Sequence, residues 1–252
     1  MNMNGILTYV INLKHEVGRR EYMENLLSSY DFLSVKFVEA VYGKDLSEQE
    51  LLDAFDFPLT YKRYGRELNK GEIGCTLSHF RCYNNLIESG KNYALILEDD
   101  ITILKDIKLL PSVVSILDTN DPIVLFLSGD YWYKNQIKGA VTYEILSVYD
   151  AVGTYAYFIN RAAAELILEK NKKASCVADN WSLYRSQGLK MKAVYPYLID
   201  ANIEPFESTI KQSYFGEHRE NMPWKFRIIA YWNAFVKKIL LKRGKFVSKI
   251  RK

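Results

Sequence analysis

The chain has 252 residues, 48% of them hydrophobic and 25% charged, the make-up of an ordinary globular protein with one substantial core or a core and a small appendage. Its net charge of +4 is unevenly held: Trp224 to Lys252 contains ten Lys/Arg and no acid, so residues 1–223 carry 24 basic against 30 acidic side chains, a net of −6. An acidic body without a recognition motif argues against nucleic acid as a partner.

In chain order, Ile6 to Leu13 reads as a first strand. A short loop, Lys14 to Gly18, leads to Arg19, Arg20 and a helical pattern through Tyr22, Met23, Leu26 and Leu27. A basic helix start after a strand suits an anionic ligand, although surface arginines are commonly just solvated. Val35 to Val41 is a second strand-like run, ending at Ala40-Val41-Tyr42-Gly43. Ser47 to Phe55 reads as a helix, with Ser47 as N-cap and Glu50 completing a capping box. Strand, helix, strand, helix is how an open sheet with flanking helices begins.

A longer helix follows, with Ile73, Leu77, Phe80 and Ile87 on its apolar stripe and Gly90 as its stop. Gly71 and Gly74 in its first turn cost about 1 kcal/mol each relative to alanine. Either a ligand or a tightly packed strand would give them a reason.

Tyr93 to Ile103 is the most informative stretch. Ala94 to Leu97 is an uninterrupted apolar run, the pattern of a strand covered on both faces, and Glu98, Asp99 and Asp100 follow at its carboxyl end. Three adjacent carboxylates repel one another, and hard oxygen ligands at a strand end suit Mg²⁺ or Mn²⁺. The bland reading is a solvated acidic turn between two strands. Val124 to Leu127 is a further strand, ending at Ser128-Gly129-Asp130, and the aromatic run Tyr131-Trp132-Tyr133 is either a sugar-stacking surface or a packed loop. Gly153 to Ile159 precedes a helix beginning near Arg161. Asp179 stands where it would cap a short helix through Leu183 and Tyr184, and Tyr195 to Ile199 reads as a late edge strand.

Four blocks in order, Tyr9-Val10-Ile11-Asn12-Leu13 with Arg19-Arg20, Gly71-Glu72-Ile73-Gly74-Cys75 with Ser78-His79, and Leu95-Ile96-Leu97-Glu98-Asp99-Asp100, resemble glycosyltransferase family 25, the bacterial lipooligosaccharide galactosyltransferases and their relatives. The resemblance extends to about Ile210, taking in Glu204 to Ser213 with Ser208-Thr209-Ile210 as a closing block. It implies an α/β, GT-A-like nucleotide-binding domain over residues 1–223, with a mixed, mostly parallel sheet flanked by helices. It also implies an inverting transfer, usually of galactose from UDP-galactose, supported by Mn²⁺ or Mg²⁺.

By the same resemblance Asp100 is the metal ligand, and Asp99 or Glu98 supplies a second ligand or meets a ribose hydroxyl. His218 is a further metal candidate, though a lone polar-loop histidine is commonly solvated. Asn12, Arg19, Arg20, Ala40, Val41, Gly71, Gly74, Ser78 and His79 fall to the nucleotide, with His79 equally readable as a core histidine. Gly153, Thr154, Tyr155, Asn180 and Trp181 fall to the sugar and acceptor. Asp179 is the expected general base and Asp130 the alternative. Another UDP-sugar (glucose or N-acetylglucosamine) and a non-catalytic glycan-binding protein are the competing readings.

The tail, residues 224–252, has its own character. At 100° per residue Ile228, Ile229, Trp232, Phe235, Val236, Ile239, Leu240, Phe246, Val247 and Ile250 gather on one side. Arg227, Lys238, Lys242, Lys245 and Lys249 gather on the other, and Gly244 bends the helix. A basic amphipathic helix of this kind fits an anionic membrane surface or packs on protein. Cys75, Cys82 and Cys176 form no disulfide framework or metal-ligand spacing, and no stretch is long enough to span a bilayer or built as a signal peptide. The expected setting is cytoplasmic, peripheral to the inner membrane of a bacterium, where a lipooligosaccharide acceptor is built.

Overall fold

A computed structural model describes residues 5–138, 142–201 and 218–248. The expected closing block at Ser208-Thr209-Ile210 lies outside the described residues, as do Lys249 and Ile250 of the tail.

The first half follows the expected alternation: β1 (Ile6–Asn12), α1 (Val17–Leu27), β2 (Leu33–Glu39), α2 (Glu48–Ala54), α3 (Phe57–Tyr64), α4 (Lys70–Glu88) and β3 (Tyr93–Glu98). Two capping boxes fix helix starts here. Ser47 and Glu50 exchange hydrogen bonds at α2, and Asn69 and Glu72 do the same at α4, satisfying backbone N–H groups that the first turn leaves over. Then come β4 (Ile101–Ile103), α5 (Leu110–Val113), β5 (Ile123–Phe126), β6 (Asp130–Lys138), β7 (Glu144–Val152), β8 (Ala156–Asn160), α6 (Arg161–Lys170), α7 (Trp181–Ser186), β9 (Lys190–Tyr195), β10 (Ile199–Ala201), α8 (Trp224–Lys242) and β11 (Phe246–Val247).

Among the described residues the strands form a nine-stranded sheet in the order β11-β6-β7-β9-β5-β8-β3-β1-β2, and β10 pairs with β4 in a small second sheet. The mixed sheet with flanking helices is the expected class. Its parallel pairs are β1 with β2, β1 with β3 and β5 with β9, and the other pairs are antiparallel. The antiparallel share comes from the β6–β7 hairpin, whose polar Lys134-Asn135-Gln136 gives no strand signal, and from β8, which runs against both β3 and β5. Tyr195 to Ile199 is not an edge strand: β9 lies inside the sheet between β7 and β5, and Ile199 begins β10.

This topology places the site. Parallel β1 and β3 end on the same sheet edge, and antiparallel β8 begins there, with Leu97 opposite Ala156 and Phe126 opposite Tyr157. The loops after β1, β3 and β5 and the loop before β8 therefore converge. Behind them the core is two-sided, as the apolar run in β3 requires. Tyr9, Ile96, Phe126 and Tyr157 pack on one face with α4 and α6, while Val10, Leu97, Leu125 and Phe158 pack on the other with Met23 and Leu27 of α1. Ala94 to Leu97 are fully buried.

The tail is woven into the sheet. Tyr149 Oη donates to Asn233 Oδ1 at 3.0 Å and Lys237 pairs with Asp150, seating α8 on β7. The single helix expected to run past Gly244 ends at Lys242, because Gly244 adopts a left-handed φ of +69° and the Lys245 N–H returns to the Leu240 carbonyl. Phe246 and Val247 then pair with β6, with Phe246 against Trp132 at 4.8 Å between ring centres. The Tyr131-Trp132-Tyr133 run is thus packed strand: Tyr131 is buried and stacks on Phe126. No described helix is long and apolar enough to cross a membrane.

Candidate active site

The acidic turn between β3 and β4 is not solvated. Asp99 is 8% exposed and both its oxygens are occupied: Asn12 Nδ2 donates to Oδ2 at 2.7 Å and Arg19 Nη1 to Oδ1 at 2.9 Å. Arg19, itself buried, also lies 3.5 Å from Asp100 Oδ2. Asn12 and Arg19, expected at the nucleotide, thus anchor Asp99 within the turn.

Asp100 is different. Its Oδ1 is buried without a hydrogen-bond partner among the described residues. Burial, reinforced by the neighbouring Glu98 and Asp99 charges and only partly offset by Arg19, pushes its carboxyl up to about 7. Burial likewise raises Asp99 against the pull of Asn12 and Arg19. An oxygen with this surplus of negative charge and no donor is suited to a hard divalent cation.

Glu98 links this turn to the loop before β8. Thr154 Oγ1 donates to Glu98 Oε1 and the Glu98 N–H bonds the Tyr155 carbonyl at 2.9 Å. Gly153, at φ +92°, donates its N–H to Asp179 Oδ2 at 3.1 Å and receives the indole N–H of Trp181 at 3.0 Å. Asp179 is therefore not the cap of α7: Asn180 caps it, accepting from the Leu183 N–H. Burial raises the Asp179 carboxyl, the Gly153 N–H opposes that, and the Glu98 charge adds to it. Asp130 stands at the start of β6 and accepts from Ser248 Oγ at 3.2 Å, so the far end of the tail touches this sheet edge.

On α4, His79 is buried, with Nδ1 bonded to Tyr157 Oη at 2.8 Å and Nε2 3.5 Å from Glu98 Oε1. It is a core histidine that also borders the acidic turn. Ser78 is held on both sides, donating to the Gly74 carbonyl and accepting from the Val41 N–H, while the Ala40 N–H bonds the Asn12 carbonyl. A Cβ on Gly74 would sit 2.4 Å from the Val41 carbonyl oxygen, so this glycine serves backbone packing rather than a ligand. Gly71 lies beside it in the first turn of α4.

Several expected residues are elsewhere or turned inward. Arg20 is exposed, paired with Glu24 and stacked over Phe37 at 4.4 Å. Trp181 is fully buried among Phe126, Tyr157 and Tyr184, and Asn180 Nδ2 donates to Tyr64 Oη, so both are spent on the scaffold. His218 lies 3.9 Å from Glu220, and its backbone backs Gly65 at the end of α3. Among the described residues the group whose ligand atoms lie within 4.8 Å of one another is Cys75, His79 and Glu98, which contains neither His218 nor Asp100. Cys75 was missed in the sequence, although its position one turn before His79 on α4 was a signal.

The family model for glycosyltransferase family 25 (LPS biosynthesis protein) matches residues 6–181, which takes in Asn12, Arg19, His79, Glu98, Asp99, Asp100, Thr154 and Asp179. The chain belongs to glycosyltransferase family 25. Within the family it is 35% identical over 100 residues to "Procollagen galactosyltransferase 1-B" of Xenopus laevis, covering 37% of this chain and 16% of that protein. It is 38% identical over 96 residues to "Procollagen galactosyltransferase 2" of Homo sapiens, covering 37% and 15%. The match thus spans about a sixth of the length of these relatives. Among solved structures, the glycosyltransferase GlyE of Streptococcus pneumoniae TIGR4 aligns over 98% of this chain and 66% of its own at 11% identity, with a TM-score of 0.39, too distant to bear on function.

Proposed function

We propose that this family 25 glycosyltransferase transfers galactose from UDP-galactose, with inversion, to a lipooligosaccharide acceptor, and that it depends on Mn²⁺ or Mg²⁺. The observation that carries the reading is the buried, unpartnered Asp100 oxygen, raised in pKa beside Glu98 at the carboxyl edge of the sheet. A carboxylate kept there without a donor is destabilising unless a cation joins it.

Asp100 and Glu98 would hold the metal, which when bound neutralises charge on the departing diphosphate. The rest falls to the chain itself. Asn12 and Arg19 lock Asp99, which sets the turn that presents Asp100. Thr154 orients Glu98. Asp179, held at one oxygen by Gly153 and raised by burial, takes the proton of the acceptor hydroxyl, for which a carboxylate pKa nearer neutrality is an advantage. Gly153 to Tyr155 lie between these carboxylates, where the sugar would sit.

The family's LPS description and the tail support this acceptor class. Trp224, Ile228, Tyr231, Trp232 and Phe235 of α8 are exposed, flanked by lysines and arginines, as suits an enzyme peripheral to the cytoplasmic face of an inner membrane. The test is transfer by the purified protein, screened over UDP-galactose, UDP-glucose and UDP-N-acetylglucosamine with Mn²⁺ and lipooligosaccharide. Turnover of UDP-galactose that is lost with EDTA and in Asp100→Asn supports the reading. Preference for another donor overturns the galactose assignment, and turnover indifferent to both EDTA and the substitution overturns the metal role.

A further inference from the structure

We propose that Cys75, His79 and Glu98 form a binding site for a thiophilic divalent cation of the zinc class, distinct from the hard-cation arrangement at Asp100 and sharing with it only the Glu98 carboxylate. Cys75 and His79 stand four residues apart on α4 and so share one helix face, and the end of β3 brings Glu98 to meet them. The sulfur, an imidazole nitrogen and a carboxylate oxygen lie within 4.8 Å of one another. Sulfur with imidazole and carboxylate is a donor set for zinc, whereas Mg²⁺ and Mn²⁺ prefer oxygen alone.

The histidine is already oriented for this task. Its Nδ1 bonds Tyr157 Oη at 2.8 Å, and that hydroxyl bonds Tyr83 Oη at 2.8 Å, so the ring is fixed with Nε2 toward Glu98. Metal-bound histidines commonly have their second nitrogen held in this way. The carboxylates of Glu98, Asp179 and Asp100 all act on Cys75 with negative charge, which favours a cation there. On binding, the Cys75 S–H bond breaks, the proton leaves to solvent and the thiolate joins the metal, while three protein ligands leave a fourth position open. Because Glu98 is shared, zinc at this site takes a carboxylate from the proposed donor site and inhibits transfer. Only that last consequence rests on the proposed transferase; the binding does not.

The test is a Co²⁺ titration of the purified full chain, read as the near-ultraviolet charge-transfer absorption of a thiolate–Co²⁺ bond and its displacement by Zn²⁺. The band is expected in the wild type and in Asp100→Asn, and absent in Cys75→Ser. Zn²⁺ affinity should fall about 10-fold in Tyr157→Phe, which loses a supporting partner, and further in Cys75→Ser, which loses a ligand. Zn²⁺ should also protect the half-buried Cys75 from a thiol reagent in the unaltered protein, a readout that needs no variant to fold. No band in the wild type, an equal band in Cys75→Ser, or no protection overturns the site. A band without transferase activity leaves the site standing and removes the transferase reading; activity without a band does the reverse.

Discussion

The carboxyl edge of the sheet and the helix α8 invert the usual distribution of polarity in opposite senses. At the sheet edge charge is turned inward: Arg19 and Asp99 are buried against each other, and Asp100 hides an oxygen with no donor. On α8 apolar surface is turned outward: Trp224, Ile228, Trp232 and Phe235 are each more than half exposed, while Asn233 and Lys237 face the protein. Buried charge and exposed large apolar groups are the informative exceptions to ordinary packing. Under the proposed function the first exception answers to a cation and the second to an apolar phase.

The largest effect that would break this comparison is expected at Asp100. Asp100→Asn should lower donor turnover by about 10⁴-fold, since a lost metal contact is worth several kcal/mol in the transition state. The same variant should melt higher than wild type when no divalent ion is present, because it removes a strained carboxylate. The pH dependence has a definite sign. A carboxyl whose folded pKa is near 7 and whose unfolded value is near 4 binds more protons in the native state between those values. Metal-free stability should therefore fall as pH rises from about 4 to 7, with Mn²⁺ and Asp100→Asn each flattening the slope. A wild type whose melting temperature ignores both pH in that window and Mn²⁺ would sink the cation argument.

Next is Trp181. If it served the sugar, Trp181→Ala would raise KM and leave stability alone. Fully buried against Phe126, Tyr157 and Tyr184, it should instead cost about 3–5 kcal/mol of stability, read by chemical denaturation. A loss below about 1 kcal/mol would return it to the site.

Asp179 and Asp130 come third. Asp179→Asn should slow transfer by about 10²- to 10⁴-fold with little change in donor KM, the usual contribution of a general base. Asp130→Asn, at a carboxylate that meets Ser248 of the tail, should act far less. The reverse ranking would exchange their roles.

These cases mark what the sequence could reveal. Strands β1 and β3, the α2 capping box and the stripe of α4 were legible because each is a local pattern of period, cap or stop. The β6–β7 hairpin was not, since Lys134, Asn135 and Gln136 are all exposed and so carry no alternation of buried and exposed residues. The candidate site was legible as a cluster of carboxylates at the end of β3, but not as a division of contacts among them. Asp99 is spoken for by Asn12, 87 residues away, and Asn180 by Tyr64, 116 residues away. Nothing local distinguishes such a carboxylate from Asp100, or an inward Trp181 from a sugar-stacking one. Arg19 and Arg20 make the same point: adjacent in sequence, they differ by 100° around α1, which sends one to Asp99 and the other to Glu24.

The smallest effects sharpen the second half of the comparison. At 100° per residue Tyr231, Trp224, Phe235, Ile228 and Trp232 fall within about 100° of arc, with Arg227 and Lys238 on one flank, Lys225 and Arg243 on the other, and Lys242 closing the stripe at its C-terminal end. The opposite face is already used, through Asn233 and Lys237, so this stripe is free to meet a lipid surface without unseating the helix. Trp232→Ala with Phe235→Ala should reduce co-sedimentation with anionic vesicles by at least about tenfold, given about 1.5–3 kcal/mol for burying each such side chain. Lys238→Gln should weaken binding by about 1 kcal/mol, and only on anionic lipid at low salt. Neither change should alter thermal stability, because these side chains are exposed in the folded chain. Equal binding to neutral and anionic vesicles would mean that the lysines merely solvate the helix. Binding unaffected by the aromatic pair would mean that the stripe is not the membrane face, and α8 would then be judged by what else covers it.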